Sequence, residues 1–211
     1  DRVVYRPTYR DDFTIIQPGY NPIERVYFIG KMPEVSDSMK TLETFLDSMA
    51  FASNADRTNA VAGALTCLLR NHWLGAKPLL YVSANKSHAG KGTVVNFMRG
   101  RLEKVDILYE PVDWPMRNEL QKRLMENPQI GFVEVDNVRL KSSGKQVTTI
   151  ASGYLESLLT NPRVSMASGN GALDRPNDLV ISLNTNDGQL SPDFLNRVLP
   201  IRLELCGDID D

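Results

Sequence analysis

Residues 79–98 read Leu-Leu-Tyr-Val-Ser-Ala-Asn-Lys-Ser-His-Ala-Gly-Lys-Gly-Thr-Val-Val-Asn-Phe-Met. The apolar run from Leu79 to Ser83 follows a proline and predicts a short strand that is buried on both faces. The pattern from Thr93 to Arg101 predicts a helix. A strand, a turn ending in Gly-Lys and a helix together predict a phosphate-binding loop. In such a loop the backbone N–H groups at the helix start cradle a polyphosphate, and the lysine neutralises its outer charge.

The predicted phosphate loop departs from the usual pattern at two positions. Asn85 stands where the first glycine is expected, although asparagine tolerates left-handed backbone better than most residues. Gly92 occupies the place of the Ser or Thr that ligates Mg²⁺, and Thr93 supplies that hydroxyl only if the loop is wound differently. A glycine-rich turn that binds nothing is the alternative. The residues predicted to contact the nucleotide are Asn85, Lys86, Ser87, His88, Ala89, Gly90, Lys91, Gly92, Thr93 and Val94.

A second apolar run ends in an acidic residue. The run from Ile130 to Val135 predicts a buried strand, and Asp136 follows it directly. Because ligands bind beyond the carboxyl ends of strands in open α/β sheets, Asp136 is a candidate to hold a metal ion, together with Thr93. Glu134 lies on the same strand face as Asp136 and is either a water-activating base or a buried structural carboxylate. Asn137 stands where a glutamate usually follows the aspartate.

A third strand carries amide side chains at its end. The run from Leu179 to Leu183 predicts a strand that lies between the two strands described above, and it is followed by Asn184 and Asn186. An amide at this position is suited to orient the attacking water. Asparagines that merely form a turn are the alternative, since Asn186 begins the turn-like sequence Asn-Asp-Gly.

Arg197 ends a short helix predicted over Pro192 to Asn196 and precedes an apolar strand. An arginine in this place can reach the γ-phosphate bound to a neighbouring subunit and stabilise the charge that develops there. The alternative is a surface arginine paired with Asp193 or Glu204, which would contribute little to stability.

Strands alternate with helices along most of the chain, which favours an α/β fold with a parallel sheet. Residues 1–34 carry short β-rich stretches separated by prolines and glycine, and predict a small antiparallel appendage. Residues 35–211 then form the predicted P-loop core, and Asp56 is the predicted N-cap of its second helix. Other predicted elements are helices over 42–49, 61–69, 116–126 and 150–159, and strands over 3–5, 14–17, 26–29, 105–109 and 198–205.

Composition limits the classes of function. The chain has 211 residues and a formal net charge of −2, so no global positive field points to nucleic acid. Any contact with DNA must come from a local loop or an assembled pore. No apolar run approaches the roughly 20 residues that span a membrane, so no membrane partner is expected. The two distant cysteines, Cys67 and Cys206, favour reduced thiols and a cytoplasmic location.

The order of these elements resembles the AAA+ superfamily: a Gly-Lys loop, an acidic strand end, a strand-end asparagine, and Asn-Arg-Val before a final strand. More narrowly, the chain resembles the ATPase domain of phage and mobile-element replication primase-helicases, which include superfamily 3-like enzymes. The resemblance spans most of the chain. The segments that carry it are 18–22, Pro-Gly-Tyr-Asn-Pro; 56–60, Asp-Arg-Thr-Asn-Ala; 89–92, Ala-Gly-Lys-Gly; 135–138, Val-Asp-Asn-Val; and 195–203, Leu-Asn-Arg-Val-Leu-Pro-Ile-Arg-Leu.

The resemblance implies a ring, usually a homo-hexamer, that binds ATP and Mg²⁺ between subunits. Lys91 and Asp136 would act within one subunit, and Asn186, or else Asn184, would sense the γ-phosphate. Arg197 would be supplied by the next subunit. No helical lid is recognisable after residue 205, where many AAA+ proteins carry one.

Rings of this kind move along single-stranded nucleic acid by means of pore loops that carry a few basic side chains. Two segments fit this description. The first holds Arg139, Lys141 and Lys145, and the second runs from Arg163 to Arg175 and is rich in Gly, Ser and Asn. Solvated surface loops are the alternative for both segments.

These expectations describe a replicative helicase ATPase that binds single-stranded or forked DNA, translocates on it and unwinds the duplex. It would be encoded by a phage or plasmid and act in the cytoplasm of a bacterial or archaeal host. The full-length chain would then carry a primase-polymerase domain. Three alternatives remain open: an AAA+ protein that remodels or loads other proteins, an initiator that binds DNA without translocating, and a small P-loop phosphotransferase that needs no arginine from a neighbour.

Overall fold

The computed structural model describes residues 2–5, 8–10, 12–32, 34, 37–73, 75–136, 149–168, 171–186 and 189–206. The chain divides into two compact units, Asp1–Leu46 and Asp47–Asp211. None of the helices in the described ranges combines the length and the apolar character needed to cross a lipid bilayer.

The first unit contains a three-stranded sheet with the order β1-β3-β2, formed by β1 (Arg2–Val4), β2 (Gly19–Asn21) and β3 (Val26–Phe28). β2 pairs antiparallel with β3, but β1 pairs parallel with it, so the prediction of a wholly antiparallel appendage is wrong for β1. The strand predicted over 14–17 is reduced to one bridge between Ile15 and Tyr9. Asp12 bonds the backbone N–H of Thr14 at 2.9 Å and holds this stretch in a turn instead.

The helices are α1 (Lys40–Asp47), α2 (Asn54–Leu68), α3 (Lys91–Arg99), α4 (Asp113–Glu126), α5 (Gly153–Thr160) and α6 (Pro192–Leu195). The remaining strands are β4 (Leu79–Ala84), β5 (Lys104–Leu108), β6 (Phe132–Asp136), β7 (Thr149–Ile150), β8 (Arg163–Ser168), β9 (Gly171–Pro176), β10 (Val180–Thr185), β11 (Gln189–Leu190) and β12 (Val198–Leu203).

Five of these strands form one all-parallel sheet with the order β12-β4-β10-β6-β5. The predicted parallel α/β sheet is therefore confirmed. β10 lies between β4 and β6, as predicted for the strand that carries the asparagines. The carboxyl ends of the three strands that carry predicted site residues consequently meet at one edge of the sheet.

Helices cover both faces of this sheet. On one face, Leu80 and Val82 of β4 pack in a core with Val94 and Met98 of α3 and with Ala60 of α2. On the other face, a second core joins the alternate strand residues to α4, α5 and α6. Strands buried on both sides need nearly continuous apolar sequence, which is why these runs were visible in the sequence.

The start of α2 differs from the prediction. Ser53 is the N-cap, and its Oγ accepts the backbone N–H of Asp56. Asp56 was predicted in that role, but it lies in the first turn of the helix, where its carboxylate accepts the N–H of Arg202 in β12 at 2.9 Å. Through this hydrogen bond Asp56, which is 2% exposed, joins the start of α2 to the edge strand β12.

The segment from Arg163 to Arg175 is a hairpin, because β8 and β9 pair antiparallel along it. The segment offered as a pore loop, or else as a solvated surface loop, therefore consists largely of two paired strands, while residues 169 and 170 lie outside the described part. The base of the hairpin is held by Asp178, which forms ion pairs with Arg175, at 2.9 Å, and with Arg70 of the turn after α2. Arg175 also donates to the Ile130 carbonyl at 2.7 Å.

Asp178→Ala is expected to lower the free energy of unfolding by about 3 kcal/mol, because it leaves two largely buried guanidinium groups without their anion. The Arg70 and Arg175 side chains are only 14% and 15% exposed. Denaturation in urea measures the loss. Asp174→Ala is the matched control, because it removes an ion pair with Arg163 in which both side chains are more than half exposed. This control should cost much less, because an exposed ion pair contributes little, and equal losses in the two variants would contradict the account.

Lys77 is buried just before β4, where its Nζ donates to the Gly75 carbonyl at 3.1 Å and to the Asn177 carbonyl at 2.8 Å. Burial is the main cause that lowers the pKa of Lys77 to about 8. The Asp178 charge acts to raise this pKa, and the Arg70 charge lowers it by a smaller amount. A lysine in the unfolded chain keeps its proton up to a pH near its ordinary pKa of 10.5. Between these two pH values the unfolded state therefore binds more protons than the folded state.

This imbalance predicts that the Lys77 contribution makes the protein more stable as pH rises from 8 towards 10.5. Relative to Lys77→Met, the wild-type free energy of unfolding should rise by about 1 kcal/mol per pH unit in this window. Urea denaturation of both proteins across the window measures the difference, and the comparison cancels other groups that titrate there. A difference that stays constant with pH would contradict the lowered pKa.

Candidate functional site

The loop between β4 and α3 contains two residues with left-handed backbone, His88 with φ 60° and Gly90 with φ 88°. Gly90 is the N-cap of α3 and supplies no side-chain cap to the first turn. Its carbonyl accepts the N–H of Val94 at 3.1 Å, so the helix is regular from Lys91 onwards. A helix start without a side-chain cap, preceded by a tight left-handed turn, has the form that receives anions in proteins.

The two glycines that flank Lys91 serve different purposes. A Cβ on Gly90 would lie 2.8 Å from the Met49 methyl, and the positive φ already disfavours any other residue there. A Cβ on Gly92 would meet none of the described residues within 4 Å, so they leave that side of the helix start open. The regular winding of α3 places Thr93 about 100° further round the helix than Gly92. In the described loop the Thr93 hydroxyl therefore does not lie at the Gly92 position.

Asn85 has a role that the sequence did not indicate. It does not have left-handed backbone, so the expectation drawn from its tolerance of that conformation is wrong. Its side chain instead accepts the N–H of Leu205 at 3.1 Å and donates to the Leu205 carbonyl at 3.2 Å. Asn85 thereby ties the loop to the chain that leaves β12.

The other predicted loop residues divide by burial. Ala89 and Val94 are buried, so only their backbone can face a ligand. Ser87 and His88 are exposed, and Lys86 is half-buried. The side chains of Ser87 and His88 are therefore open to a ligand, whereas Ala89 and Val94 offer only their backbone.

The structure brings Lys91 and Asn186 together, because the Lys91 ammonium donates to the Asn186 side-chain oxygen. Asn186 directly follows β10. Asp136 is the last residue of the neighbouring strand β6, although its side chain lies outside the described part of the chain. Three of the predicted site residues thus come from adjacent carboxyl ends of the sheet.

A crevice is expected where Lys91 and Asn186 meet. After β4 the chain turns to the face covered by α2 and α3, whereas after β10 it turns to the face covered by α6. Neighbouring strands whose connections leave towards opposite faces create a crevice beyond their carboxyl ends, and ligands of open α/β sheets bind there.

Glu134 and Asn184 are engaged with other side chains. Asn184 donates to one carboxylate oxygen of Glu134 at 2.7 Å, and Lys104 of β5 donates to the other at 2.8 Å. Burial lowers the pKa of Lys104, but its bonds to Asp106 and Glu134 outweigh this and raise it above its usual value. These contacts favour a structural role for Glu134 over the role of a water-activating base. They also favour Asn186 over Asn184 as the amide that faces a ligand.

Lys104 is the member of this group that the sequence analysis missed. The signal was available, because charged Lys104 and Asp106 alternate with buried Val105 and Ile107 along β5. Such alternation places both charges on one face of the sheet, the face that Glu134 shares in the next strand.

Arg197 lies at the opposite end of the sheet from Lys91. Its carbonyl accepts the N–H of Leu79, the first residue of β4, while the loop follows the last residue of that strand. A strand of 6 residues separates the two ends by about 20 Å. The Arg197 side chain is exposed and forms no ion pair with any residue that the structure describes, so the alternative pairing with Asp193 or Glu204 is not observed.

Four predicted site residues, Asn137, Arg139, Lys141 and Lys145, fall within 137–148, outside the described residues. Among the described side chains, no group of three or more His, Cys, Asp or Glu is arranged to hold a metal ion.

The fold defines the class of protein as α/β, with a five-stranded parallel sheet between two layers of helices. No known family model matches the chain, and no curated protein matches it. The narrower assignment therefore depends on the four sequence elements and on the positions that the sheet gives them.

Proposed function

We propose that the chain is an ATP-hydrolysing P-loop domain of the AAA+ type. The observation that carries this proposal is the contact of Lys91 with Asn186 at the carboxyl ends of adjacent strands. A lysine at an uncapped helix start and an amide from the neighbouring strand are the groups that a nucleoside triphosphate site requires. They are more than 90 residues apart in sequence and meet where ligands of such sheets bind.

The groups at this crevice fit MgATP. The left-handed turn at Gly90 and the open side of Gly92 leave backbone N–H groups accessible to phosphate oxygens. Lys91 would neutralise the outer phosphate charge, and Asn186 would orient the water. Asp136 would hold Mg²⁺, whose charge would offset the negative charge that develops on the phosphates. Most of the catalysis would be positioning and charge stabilisation.

The position of Arg197 supports a site completed by a second subunit. About 20 Å separates it from Lys91 within one chain, which is beyond the reach of an arginine side chain. A head-to-tail ring brings one end of a subunit against the opposite end of the next. In such a ring, which we propose is a homo-hexamer, Arg197 would act on the ATP of its neighbour.

We further propose that the domain is the motor of a replicative helicase from a phage or mobile element, acting on single-stranded or forked DNA in the host cytoplasm. The hairpin of β8 and β9 is one candidate contact with DNA. Its Arg163 is already paired with Asp174, and its Arg175 is held at the base. The basic side chains left for phosphate contacts are therefore Arg139, Lys141 and Lys145. A primase-polymerase domain in the full-length protein remains part of this proposal.

Single-stranded DNA is expected to bind the ATP-bound protein and to stimulate hydrolysis. Replacing Arg139, Lys141 and Lys145 together by Ala should weaken this binding. The slope of log affinity against log salt should become shallower by about 2 for each subunit that contacts the strand, because three fewer phosphates are neutralised. Fluorescence anisotropy with labelled oligo(dT) over a salt series measures both effects.

The matched control removes three basic residues elsewhere, Arg101, Lys122 and Arg123, which are all exposed. This control should leave the salt slope unchanged. If DNA neither binds nor alters hydrolysis while ATP is still turned over, the helicase proposal fails. A remodeller or loader of proteins would then replace it. DNA binding that does not stimulate ATP hydrolysis would instead indicate a non-translocating initiator. Full activity of the monomer would indicate a phosphotransferase.

A further inference from the structure

A second polar cavity lies on the sheet face opposite α3, between α4, α5 and β8, with a volume of about 370 Å³. We infer that this cavity binds a phosphate-bearing ligand no larger than a mononucleotide, separately from the loop that contains Lys91. Its volume falls at the lower end of the range for small-molecule sites.

The polar groups of the cavity with unused bonding capacity are mainly donors. Arg117 and Gln121 lie one turn apart on α4, and neither makes a hydrogen bond or ion pair with a residue in the described ranges. On α5, Ser157 Oγ accepts from Asn161 at 2.8 Å, which leaves the Ser157 proton available to donate. One cation and two neutral donors therefore converge from two helices.

The charged acceptor in the cavity already has hydrogen-bond partners. Asp113 is the one carboxylate among the described residues that line it, and its two oxygens accept from Ser152 Oγ and, at 3.0 Å, from the Tyr154 N–H. Arg163 at the rim is likewise paired with Asp174. The Arg117 cation, together with the donors of Gln121 and Ser157, therefore favours an anion, and donors on several sides suit the oxygens of a phosphate better than the two of a carboxylate.

Tyr154 adds a further donor to the cavity wall. Its hydroxyl oxygen is buried and has no hydrogen-bond partner among the residues that the structure describes, which is uncommon for a buried polar group. Burial raises the pKa of Tyr154, so the hydroxyl keeps its proton at neutral pH. The proton turns about the Cζ–Oη bond, so the hydroxyl is able to donate to a ligand that reaches it.

The floor of the cavity connects it to the hairpin. Val164 and Met166 of β8 are buried beneath it, and Ser165 also lines it. A bound ligand would therefore restrain β8 against α4 and α5. The site is thus placed to act on the hairpin as an effector site, whatever chemistry occurs at Lys91.

The test measures phosphate binding by calorimetry in the full chain carrying Lys91→Ala, which removes the lysine of the other site. Inorganic phosphate, AMP and a short oligo(dT) are titrated separately, which distinguishes free phosphate, mononucleotide and nucleic-acid sources. Adding Arg117→Gln should weaken binding tenfold or more. Lys122→Gln is the matched control, since it removes a charge from an exposed α4 residue that does not line the cavity. It should have no effect.

Hydrogen exchange gives a second readout. The ligand that binds should slow exchange of peptides from β8 in the Lys91→Ala protein, and should not do so once Arg117→Gln is added. The inference is overturned if none of the three probes binds, or if Arg117→Gln and Lys122→Gln bind equally well. Because Lys91 is absent throughout, either result leaves the proposed ATP site untouched.

Discussion

Lys91→Ala is expected to reduce ATP hydrolysis by about 100- to 1000-fold, the size of effect seen when one positioned charge-stabilising group is lost. The physical reason is local. Lys91 is the cation at the start of α3, and its ammonium is already held at the crevice by Asn186. Without it the transferred phosphoryl group loses its nearest positive partner. Binding of MgATP should weaken as well, because the lysine contacts the ground state too.

Phosphate release from MgATP under steady-state conditions measures this loss. Lys122→Ala is the control, because Lys122 is exposed on α4, on the other face of the sheet. It should retain wild-type activity. Thermal unfolding of both variants must resemble that of the wild type, so that misfolding does not explain the loss. An active, folded Lys91→Ala protein would remove the basis for the proposed site.

Arg197→Ala should also abolish hydrolysis, since arginine fingers contribute about 1000-fold or more. The sharper expectation concerns mixtures. A ring made from equal amounts of Lys91→Ala and Arg197→Ala subunits contains interfaces where an intact lysine faces an intact arginine. With random assembly in a head-to-tail ring, about a quarter of the sites are intact, and activity should recover towards that fraction.

The control for the mixture uses Lys91→Ala subunits combined with the double variant Lys91→Ala/Arg197→Ala. No subunit in this mixture supplies the lysine, so activity should stay absent. Recovery in the first mixture alone shows that Arg197 acts on a neighbour. If both mixtures are inactive while the proteins still assemble, the arginine does not act between subunits. Wild-type activity in an isolated monomer would also contradict the account.

The parallel sheet was predictable because of what its strands must bury. Runs such as Leu79–Ser83 and Ile130–Val135 are apolar almost throughout, as strands covered on both faces must be. The hairpin was missed for the opposite reason. Within residues 163–166 only Val164 and Met166 are buried, and the glycine and serine content of the segment masked this period of two.

The sequence predicted which residues belong to the site, but it did not predict all the side-chain contacts that these residues make. Lys91 and Asn186 were each identified from their place after a strand, and the sheet order makes them meet. The partners of Asn85 and Glu134 were not identified. Leu205 is 120 residues from Asn85, and Lys104 is 30 residues from Glu134. Contacts at such separations depend on strand register and on where a chain leaves the sheet, which local patterns do not specify.

The central claim is that MgATP binds at the loop over residues 85–94. Hydrogen exchange followed by mass spectrometry, with and without saturating MgATP, tests it at peptide resolution and in an assembled ring. The account predicts slower exchange in the peptide that contains the Gly90–Thr93 backbone in the wild type, and a much smaller change in Lys91→Ala. Unchanged exchange in this peptide at saturating MgATP, with protection elsewhere or nowhere, would contradict it.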